Sequence, residues 1–227
     1  MSNKQNRQHV ALLYTMPEKM KYVIEHMEQG FTKWVVLEYA QIIKDVGREN
    51  LFLVSLPQGT TEANIPKELL DLGLQWTTED IVPYLMDTKG VAKREDLCLL
   101  DPRAEIELQP SDASDFKYFI FGGILGDHPP RDRTTELKNK LGCPTRRLGS
   151  LQMTTDTAVR TTQIILEKQT NFEDIKFIDY PEIRYSKTEA TEMPFRYVLD
   201  ESNTPIFPEG MVDLIHAENS KNLDDFF

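Results

Sequence analysis

The segment Phe119–Glu167 decides the fold, and it reads FIFGGILGDHPP, then RDRTTELKNKLGCPTRR, then LGSLQMTTDTAVRTTQIILE. The apolar run Tyr118–Phe121 at its start is typical of a buried strand. A polar helix is predicted over Asp132–Leu141, and a turn-rich stretch then leads into a long helix over Thr157–Lys168. Glycines in the connecting loops let a ligand approach the main chain, and a helix N-terminus adds free N–H groups. These two loops therefore predict a cradle for a small ligand.

The rest of the chain alternates short apolar strands with helical segments. The clearest helix signal is Trp34–Val46, whose apolar spacing fits a mostly buried helix that ends at Gly47. Thr77–Asp80 resembles the capping box of a shorter helix. Strands are predicted over Val10–Tyr14, Asn50–Leu56, Leu97–Asp101, Tyr118–Phe121 and Arg146–Leu148. The alternation predicts an α/β fold with a mostly parallel sheet and helices on both faces, in which ligands bind at the carboxyl ends of the strands.

The composition divides the chain into three parts. Residues 1–8 are polar and are expected to be disordered, and residues 9–171 are expected to form the α/β domain. Residues 172–227 have a different composition, with acidic and proline-bearing turns. Short β-like pieces and one helix are predicted there, over Lys176–Ile178, Phe195–Leu199 and Pro208–Ala217. From Thr188 onward there are nine carboxylates and two basic residues. We expect this acidic extension to pack on the domain, to attract a basic surface and to end in a loose tail.

The charge of the chain favours a basic partner. It carries 37 acidic and 26 basic residues, a formal net charge of −11 and a pI near 4.9. A protein that binds a phosphate backbone normally needs a basic surface, and the densest basic clusters here are only Lys93–Arg94 and Arg146–Arg147. Because long-range fields attract opposite charge, the composition argues against nucleic acid as the main partner.

The composition also indicates where in the cell the protein is expected and whether disulfides or a metal are expected. No run of about 18 apolar residues is present, so no membrane span is expected, and the polar N-terminus lacks the apolar core of a secretory signal. Cys98 and Cys143 are too few for a disulfide framework and predict two thiols in a reducing compartment, with the cytoplasm as the expected location. No metal is predicted, because metal-ligand spacing is absent among His9, His26, His128 and His216.

The two glycine-bearing loops differ in how specifically their sequences indicate a ligand-binding site. The segment Gly122–Asp127 matches neither the dinucleotide-binding glycine pattern nor a phosphate-binding loop, and a plain tight turn would explain it. In Leu148–Asp156, one of the last three residues can cap the following helix, and that role alone would explain Asp156. It does not explain the preceding Leu-Gly-Ser-Leu-Gln-Met. A loop that combines main-chain donors and acceptors with apolar side chains suits a flat heterocycle such as adenine.

The paired segments FGGILGDHPPRDRT and LGSLQMTTDTAVRTTQIIL resemble the knot region of SPOUT-superfamily methyltransferases. They are most similar to the eukaryotic and archaeal branch whose yeast member methylates an arginine of a small-subunit ribosomal protein. The resemblance implies a C-terminal deep trefoil knot in the α/β domain and S-adenosylmethionine as the cofactor. It also implies a monomer in which the segment after the knot covers the surface through which most of the superfamily dimerises.

The resemblance further implies which residues hold the cofactor. The first wall would be formed by Gly122, Gly123, Gly126 and Asp127. The second wall would be formed by Leu148, Leu151, Met153, Thr154, Thr155 and Ala158. Both walls belong to the loops that the glycines and the helix N-terminus already single out.

Three functions remain open at this point. The first is methyl transfer to an arginine of a basic protein, with Asp127 as the first candidate for a catalytic carboxylate and Glu136 as the second. Carboxylates suit this reaction because arginine is protonated, with a pKa of about 12.5–13.8, and must be oriented and lose a proton. A solvated surface charge is the plain alternative for either residue. The second function is methylation of RNA with the same cofactor, and the third is a non-catalytic protein-binding module.

Overall fold

The structure is a computed structural model and describes residues 20–88, 90, 93–123, 133–186 and 189–224. Within these residues the central sheet consists of β1 (Lys21–His26), β2 (Leu51–Val54), β3 (Gln75–Trp76), β4 (Leu97–Leu100), β5 (Tyr118–Gly123) and β6 (Thr145–Arg146). Its strands lie in the order β3-β2-β1-β5-β4-β6, and every pairing is parallel. The predicted α/β fold with a mostly parallel sheet is confirmed.

Helices lie between the strands as α1 (Lys33–Val46), α2 (Lys67–Asp71), α3 (Ile81–Pro83), α4 (Asp112–Asp115), α5 (Arg133–Leu141) and α6 (Thr155–Glu167). The hydroxyl of Thr32 accepts the N–H of Val35 at 3.2 Å and caps α1, which ends at Gly47 with φ +86°. The helix predicted over Trp34–Val46 is therefore confirmed. The apolar spacing is reliable here because the helix buries one side against the sheet.

The two faces of the sheet carry separate hydrophobic clusters, because successive side chains of a strand point to opposite faces. On one face Ile24, Leu53 and Phe119 pack against α1 and α6. On the other face Val23 and Ile120 pack against side chains of α3 and α5. Helices thus cover both faces, as predicted, and the carboxyl ends of the strands are left between the two helical layers.

The C-terminal part of the chain packs on α1. It contains β7 (Phe177–Asp179), β8 (Glu182–Arg184), β9 (Ala190–Glu192), β10 (Arg196–Val198) and α7 (Met211–Asp224). A third hydrophobic cluster, which includes Tyr197 and Met211, packs against Trp34 and Leu37 of α1. The main-chain N–H of Arg196 donates to the carbonyl of Gln152 at 3.0 Å, so β10 is tied to the loop that precedes α6.

The structure corrects the sequence prediction at the ends of the chain. The strand predicted over Val10–Tyr14 lies outside the described residues, and the central strand β1 was not predicted. Polar residues interrupt its pattern, and Glu25 is buried beside Ser55, whose hydroxyl donates to it at 2.8 Å. The prediction of a loose tail from Glu218 is wrong as far as Asp224, since α7 continues through these residues instead of ending at Ala217.

Smaller differences concern the boundaries of elements. Helix α6 begins two residues before the predicted Thr157, because Thr154 is its N-cap. The short helix α3 is capped by Asp80, whose Oδ1 accepts the N–H of Val82 at 3.1 Å. Strand β3 was not predicted because it has only two residues.

Among the described residues, no helix is long and apolar enough to cross a membrane.

Candidate functional site

A cavity of about 170 Å³ opens at the carboxyl ends of β4 and β5, between these strands and the first turn of α6. It is lined by Leu100, Asp101, Pro102, Phe121, Gly122, Thr134, Leu148, Gly149, Leu151, Gln152, Met153, Thr155 and Ala158. Ligands of parallel sheets bind at this edge, where strands end and loops begin. The cavity therefore lies where the sequence predicts a cradle.

The loop between β6 and α6 forms one wall of the cavity, and an ion pair fixes its start. The guanidinium of Arg146 binds the carboxylate of Asp112 in a fork, with Nε–Oδ2 at 3.0 Å and Nη2–Oδ1 at 2.9 Å. The same guanidinium lies over the ring of Phe116, 5.1 Å from its centroid. Two parallel hydrogen bonds give this pair a defined geometry, so the loop leaves the sheet in a fixed direction.

Gly149 is required where it lies in that loop. Its φ is +68°, a left-handed conformation that favours glycine. A Cβ atom built on it would lie 2.6 Å from the ring of Phe172, so the ring packs directly on the glycine. The ring of Phe172 is in turn 5.2 Å from that of Phe177 in β7. The conformation of the cavity wall thus depends on the absence of a side chain at Gly149.

The first turn of α6 forms the floor of the cavity. Thr155 and Ala158 both line it, since residues three apart lie on the same side of a helix. The N-cap Thr154 is buried, and its hydroxyl donates to Thr157 Oγ1 at 2.8 Å. This turn is held in place by its own hydroxyl groups and by contacts with α1 behind it.

Asp101 is the only carboxylate among the described residues that line the cavity. It follows β4 directly, and its side chain is 4% exposed. Its Oδ1 accepts the main-chain N–H of Arg103 at 2.9 Å, and its Oδ2 lies 3.6 Å from Nζ of the half-exposed Lys138. Asp101 therefore brings a negative charge, oriented by the backbone, to an otherwise mostly apolar cavity.

A second group of charges is buried behind the floor, between α1 and α6. Glu38 is 2% exposed and Asp156 is fully buried. Burial raises the pKa of Glu38 to about 8, and the nearby charge of Asp156 adds to the rise. Burial also raises the pKa of Asp156, while Arg160 opposes that rise. Neither carboxylate lines the cavity.

The structure brings together most of the residues that were predicted for the cofactor. The predicted residues that line one cavity are Gly122, Leu148, Leu151, Met153, Thr155 and Ala158. Gly123 ends β5 next to them, and Thr154 is buried directly before the floor. Gly126 and Asp127 lie outside the described residues.

Glu136 lies in the first turn of α5, two residues after the cavity residue Thr134, and it is exposed. Residues two apart on a helix do not share a face, so this placement does not bring Glu136 into the cavity. Its catalytic role stays a prediction, as does that of Asp127.

Several residues that line the cavity were not predicted from the sequence. Leu100, Asp101 and Pro102 end the predicted third strand, and Phe121 ends the fourth. The rule that ligands bind at the carboxyl ends of parallel strands could have identified them. Gly149 and Gln152 lie in the Leu148–Asp156 loop that the sequence indicates, although they were not among the residues predicted for the cofactor. Thr134 carries no such signal, because its place depends on how α5 folds back to the sheet.

The arrangement suits an adenosine-like ligand. Apolar side chains from the loop before α6 line the cavity together with Gly122 of β5, so a flat ring can lie between them and reach main-chain donors and acceptors. Asp101, Thr134 and Gln152 provide a few polar groups at the edge of the cavity, which can fix the orientation of hydroxyl or charged groups. A mostly apolar cavity with few polar contacts is typical of cofactor sites.

Comparison with known proteins agrees with this chemistry. The family model described as "Protein arginine N-methyltransferase SFM1-like" matches residues 21–222. The chain is 61% identical over 210 residues to the protein arginine N-methyltransferase SFM1 of Saccharomyces cerevisiae, and the match covers 91% of this chain and 99% of the yeast protein.

Solved structures extend the comparison to ligands and to the fold. The yeast SFM1 complexed with SAM matches with a TM-score of 0.84 and 60% identity over 88% of this chain and 92% of that chain. The complex with MTA matches with a TM-score of 0.80 and 60% identity over 86% of this chain and 99% of that chain. A dual-specific Trm10 from Thermococcus kodakaraensis, 18% identical, has a TM-score of 0.51 over 68% of this chain and 95% of that chain, and shares the fold alone.

Proposed function

The chain belongs to the SFM1-like family of protein arginine N-methyltransferases, and we propose that it methylates an arginine of a basic protein of the small ribosomal subunit. It is an enzyme of the SPOUT type, and its cofactor is S-adenosylmethionine (SAM). The observation that carries the proposal is the cavity at the ends of β4 and β5. There Gly122 at the end of β5 and the predicted loop before α6 meet one buried carboxylate.

The residues of the cavity fit this cofactor. Leu148, Leu151 and Met153 can cover the adenine ring, and the main chain at Gly122 and Gly149 can approach it closely. Thr155 and Gln152 offer hydrogen-bonding groups to the rest of the molecule. When it is bound, SAM supplies a methyl group on a positively charged sulfonium sulfur.

The chemistry gives Asp101 a role of its own. A protonated guanidinium must approach the cationic methyl donor, and two cations repel each other strongly in a site from which water is excluded. Asp101 is buried and oriented by the N–H of Arg103, so its negative charge is already in place and needs no reorganisation. We assign to Asp101 the stabilisation of these two charges. Asp127 remains our candidate for accepting the guanidinium proton.

The finer features that the resemblance implies belong to the same proposal. We infer that the chain around the cavity forms a trefoil knot and that the enzyme is a monomer that acts in the cytoplasm. The packing of Tyr197 and Met211 against Trp34 and Leu37 of α1 supports the monomer, because this contact covers a helix surface that a second copy would otherwise need. The net charge of −11 supports a basic protein as the substrate.

Methylation of RNA is the second candidate, because most members of the superfamily that the two loop segments resemble modify RNA. Steep salt dependence of RNA binding would support it, because phosphate contacts release counterions. The acidic composition and the protein arginine methyltransferase relatives make it the weaker hypothesis. A non-catalytic binding module would require the cavity to fail to bind SAM.

Replacing Ala158 by leucine tests whether the cavity is the transfer site. The larger side chain enters the cavity from the floor, so we expect SAM affinity to fall by at least about 30-fold, or about 2 kcal/mol. Ala217→Leu, on the exposed side of α7, is the matched control and should leave affinity and methyl transfer unchanged. Calorimetry with SAM and transfer of labelled methyl measure the two effects. Unaltered binding by a folded Ala158→Leu variant would contradict the assignment.

A further inference from the structure

Lys138 is a positively charged residue beside the cofactor cavity that the proposed mechanism does not use. It lies in α5, four residues after Thr134, and residues four apart share a face of a helix. Because Thr134 lines the cavity, Lys138 lies along the same side of α5. Its Nζ is 3.6 Å from Oδ2 of Asp101, the buried carboxylate of the cavity. These two relations place the ammonium group at the edge of the cavity.

The ammonium group of Lys138 is only loosely bound to Asp101. Their separation of 3.6 Å is longer than a charge-assisted hydrogen bond, which measures about 2.7–2.9 Å. The side chain of Lys138 is 46% exposed, whereas that of Asp101 is 4% exposed and accepts the N–H of Arg103 at 2.9 Å. A lysine has three N–H donors on a flexible stem. Lys138 can therefore turn towards a ligand while Asp101 stays in place.

The other lysine near the end of α5 has a different environment. Lys140 hydrogen-bonds to Asp80, and its Nζ lies 3.7 Å from Oε1 of Glu25. These carboxylates come from the start of α3 and from β1, so Lys140 fastens α5 to the rest of the domain. Among the described residues, the only ion-pair partner of Lys138 is Asp101. The docking of α5 therefore does not depend on Lys138 alone, and its charge is available for a ligand.

A further positive charge at this place is unfavourable for the transfer reaction by itself. The reaction brings the sulfonium of SAM close to the protonated guanidinium of the substrate, and Asp101 supplies one negative charge. A lysine beside Asp101 offsets part of that charge and repels both cations. Its position becomes favourable when the bound cofactor brings a negative group of its own. SAM has one such group, the carboxylate of its amino-acid part.

We propose that Lys138 binds the carboxylate of the cofactor and makes the cavity selective for ligands that carry the amino-acid part. The inference rests on the proposed function, because it concerns the same cofactor. When the cofactor binds, Lys138 turns from Asp101 to the ligand carboxylate. The negative charge of Asp101 is then fully available to the sulfonium and the guanidinium, so binding of the cofactor also prepares the site electrostatically.

The test compares the binding of S-adenosylhomocysteine and of methylthioadenosine, the ligand MTA, by calorimetry with the full chain. Both ligands carry a neutral thioether in place of the sulfonium, and only the first has the amino-acid part. Lys138→Met keeps most of the apolar stem and removes the charge. We expect it to bind S-adenosylhomocysteine about tenfold more weakly and MTA within about twofold of the wild type. Lys138→Arg keeps the charge and should retain most of the affinity for S-adenosylhomocysteine.

Lys117 offers a matched control at the opposite edge of the sheet. It directly precedes β5, and its Nζ is 3.6 Å from Oδ1 of Asp96. Lys117→Met therefore removes the same charge and an ion pair of the same length, far from the carboxyl ends of the strands. It should leave the affinities for both ligands unchanged.

A second probe separates the carboxylate from the amino group of the cofactor. SAM from which the carboxyl group has been removed keeps the sulfonium and the amino group. The wild type should bind this compound about tenfold more weakly than SAM, whereas Lys138→Met should bind the two within about twofold of each other. The difference in the wild type should grow at low ionic strength, because the proposed ion pair is partly exposed.

The possible outcomes distinguish this inference from the proposed function. An equal loss of affinity for S-adenosylhomocysteine and MTA in Lys138→Met would indicate an effect on the shape of the cavity and would overturn the inference. Unchanged affinity for both ligands would overturn it as well, since the carboxylate would then be bound elsewhere. In either case the wild type still binds the cofactor. Absence of SAM and MTA binding by the wild type would overturn the proposed function itself.

Discussion

Gly149→Ala is expected to lower the free energy of unfolding by about 3 kcal/mol and to weaken SAM binding by at least about tenfold. Two effects add. An alanine at φ +68° is strained, and its Cβ would lie 2.6 Å from the ring of Phe172. Because that ring is packed against Phe177, it cannot move away freely, and the loop that lines the cavity has to shift instead. Thermal or denaturant unfolding and calorimetry with SAM measure the two losses.

Two controls separate the strain from the contact. Gly59 has φ +87°, and a Cβ atom added to it would have no other atom within 4 Å, so Gly59→Ala carries the strain without the clash. It should lose about 1 kcal/mol of stability and keep its SAM affinity. Adding Phe172→Leu to Gly149→Ala should recover part of the affinity by making room. If Gly149→Ala behaves like Gly59→Ala, the loop is not held by Phe172 in the way described.

Asp101→Asn is expected to reduce kcat/KM for methyl transfer by about 100-fold while the protein stays folded. Asparagine keeps the oxygen that accepts the N–H of Arg103, so the turn after β4 is preserved and only the charge is lost. The variant should bind SAM more weakly but S-adenosylhomocysteine almost normally, because the two ligands differ only in the sulfonium methyl and its charge. Comparing the two affinities isolates the electrostatic role.

Asp115→Asn removes a carboxylate from the exposed side of α4 and should leave both affinities and turnover unchanged. Equal loss of affinity for both ligands in Asp101→Asn would mean that Asp101 binds a part that they share. Full activity of Asp101→Asn would exclude Asp101 from the mechanism and leave Asp127 as the first candidate for the catalytic carboxylate.

The sequence was most informative where one residue pattern decides one element. Strand β5, the helix α1 and the loop before α6 were predictable because apolar periodicity and glycine act locally. Strand β1 was not, because Glu25 breaks its pattern. The residues that accommodate this carboxylate, Ser55 at 2.8 Å and Lys140 at 3.7 Å, come from distant parts of the chain. Partners of a buried charge that lie this far away in the sequence can be identified only from the structure.

The same distinction applies to the site. Asp101 could have been singled out, since it follows a buried strand directly. Thr134 could not, because its place in the cavity depends on how α5 folds back to the sheet. The chemistry itself was inferred from the resemblance of two loop segments to a known superfamily, and no periodicity or spacing would have predicted arginine methylation.

Transfer of labelled methyl from SAM to small ribosomal subunits, with protein and RNA counted separately, tests the central claim most directly. The account predicts that the label appears in one basic protein, survives nuclease treatment and is recovered as methylarginine after hydrolysis. Ala158→Leu should abolish this label and Ala217→Leu should not. Label that is released by nuclease and recovered in RNA would contradict the claim and establish the RNA methyltransferase hypothesis instead.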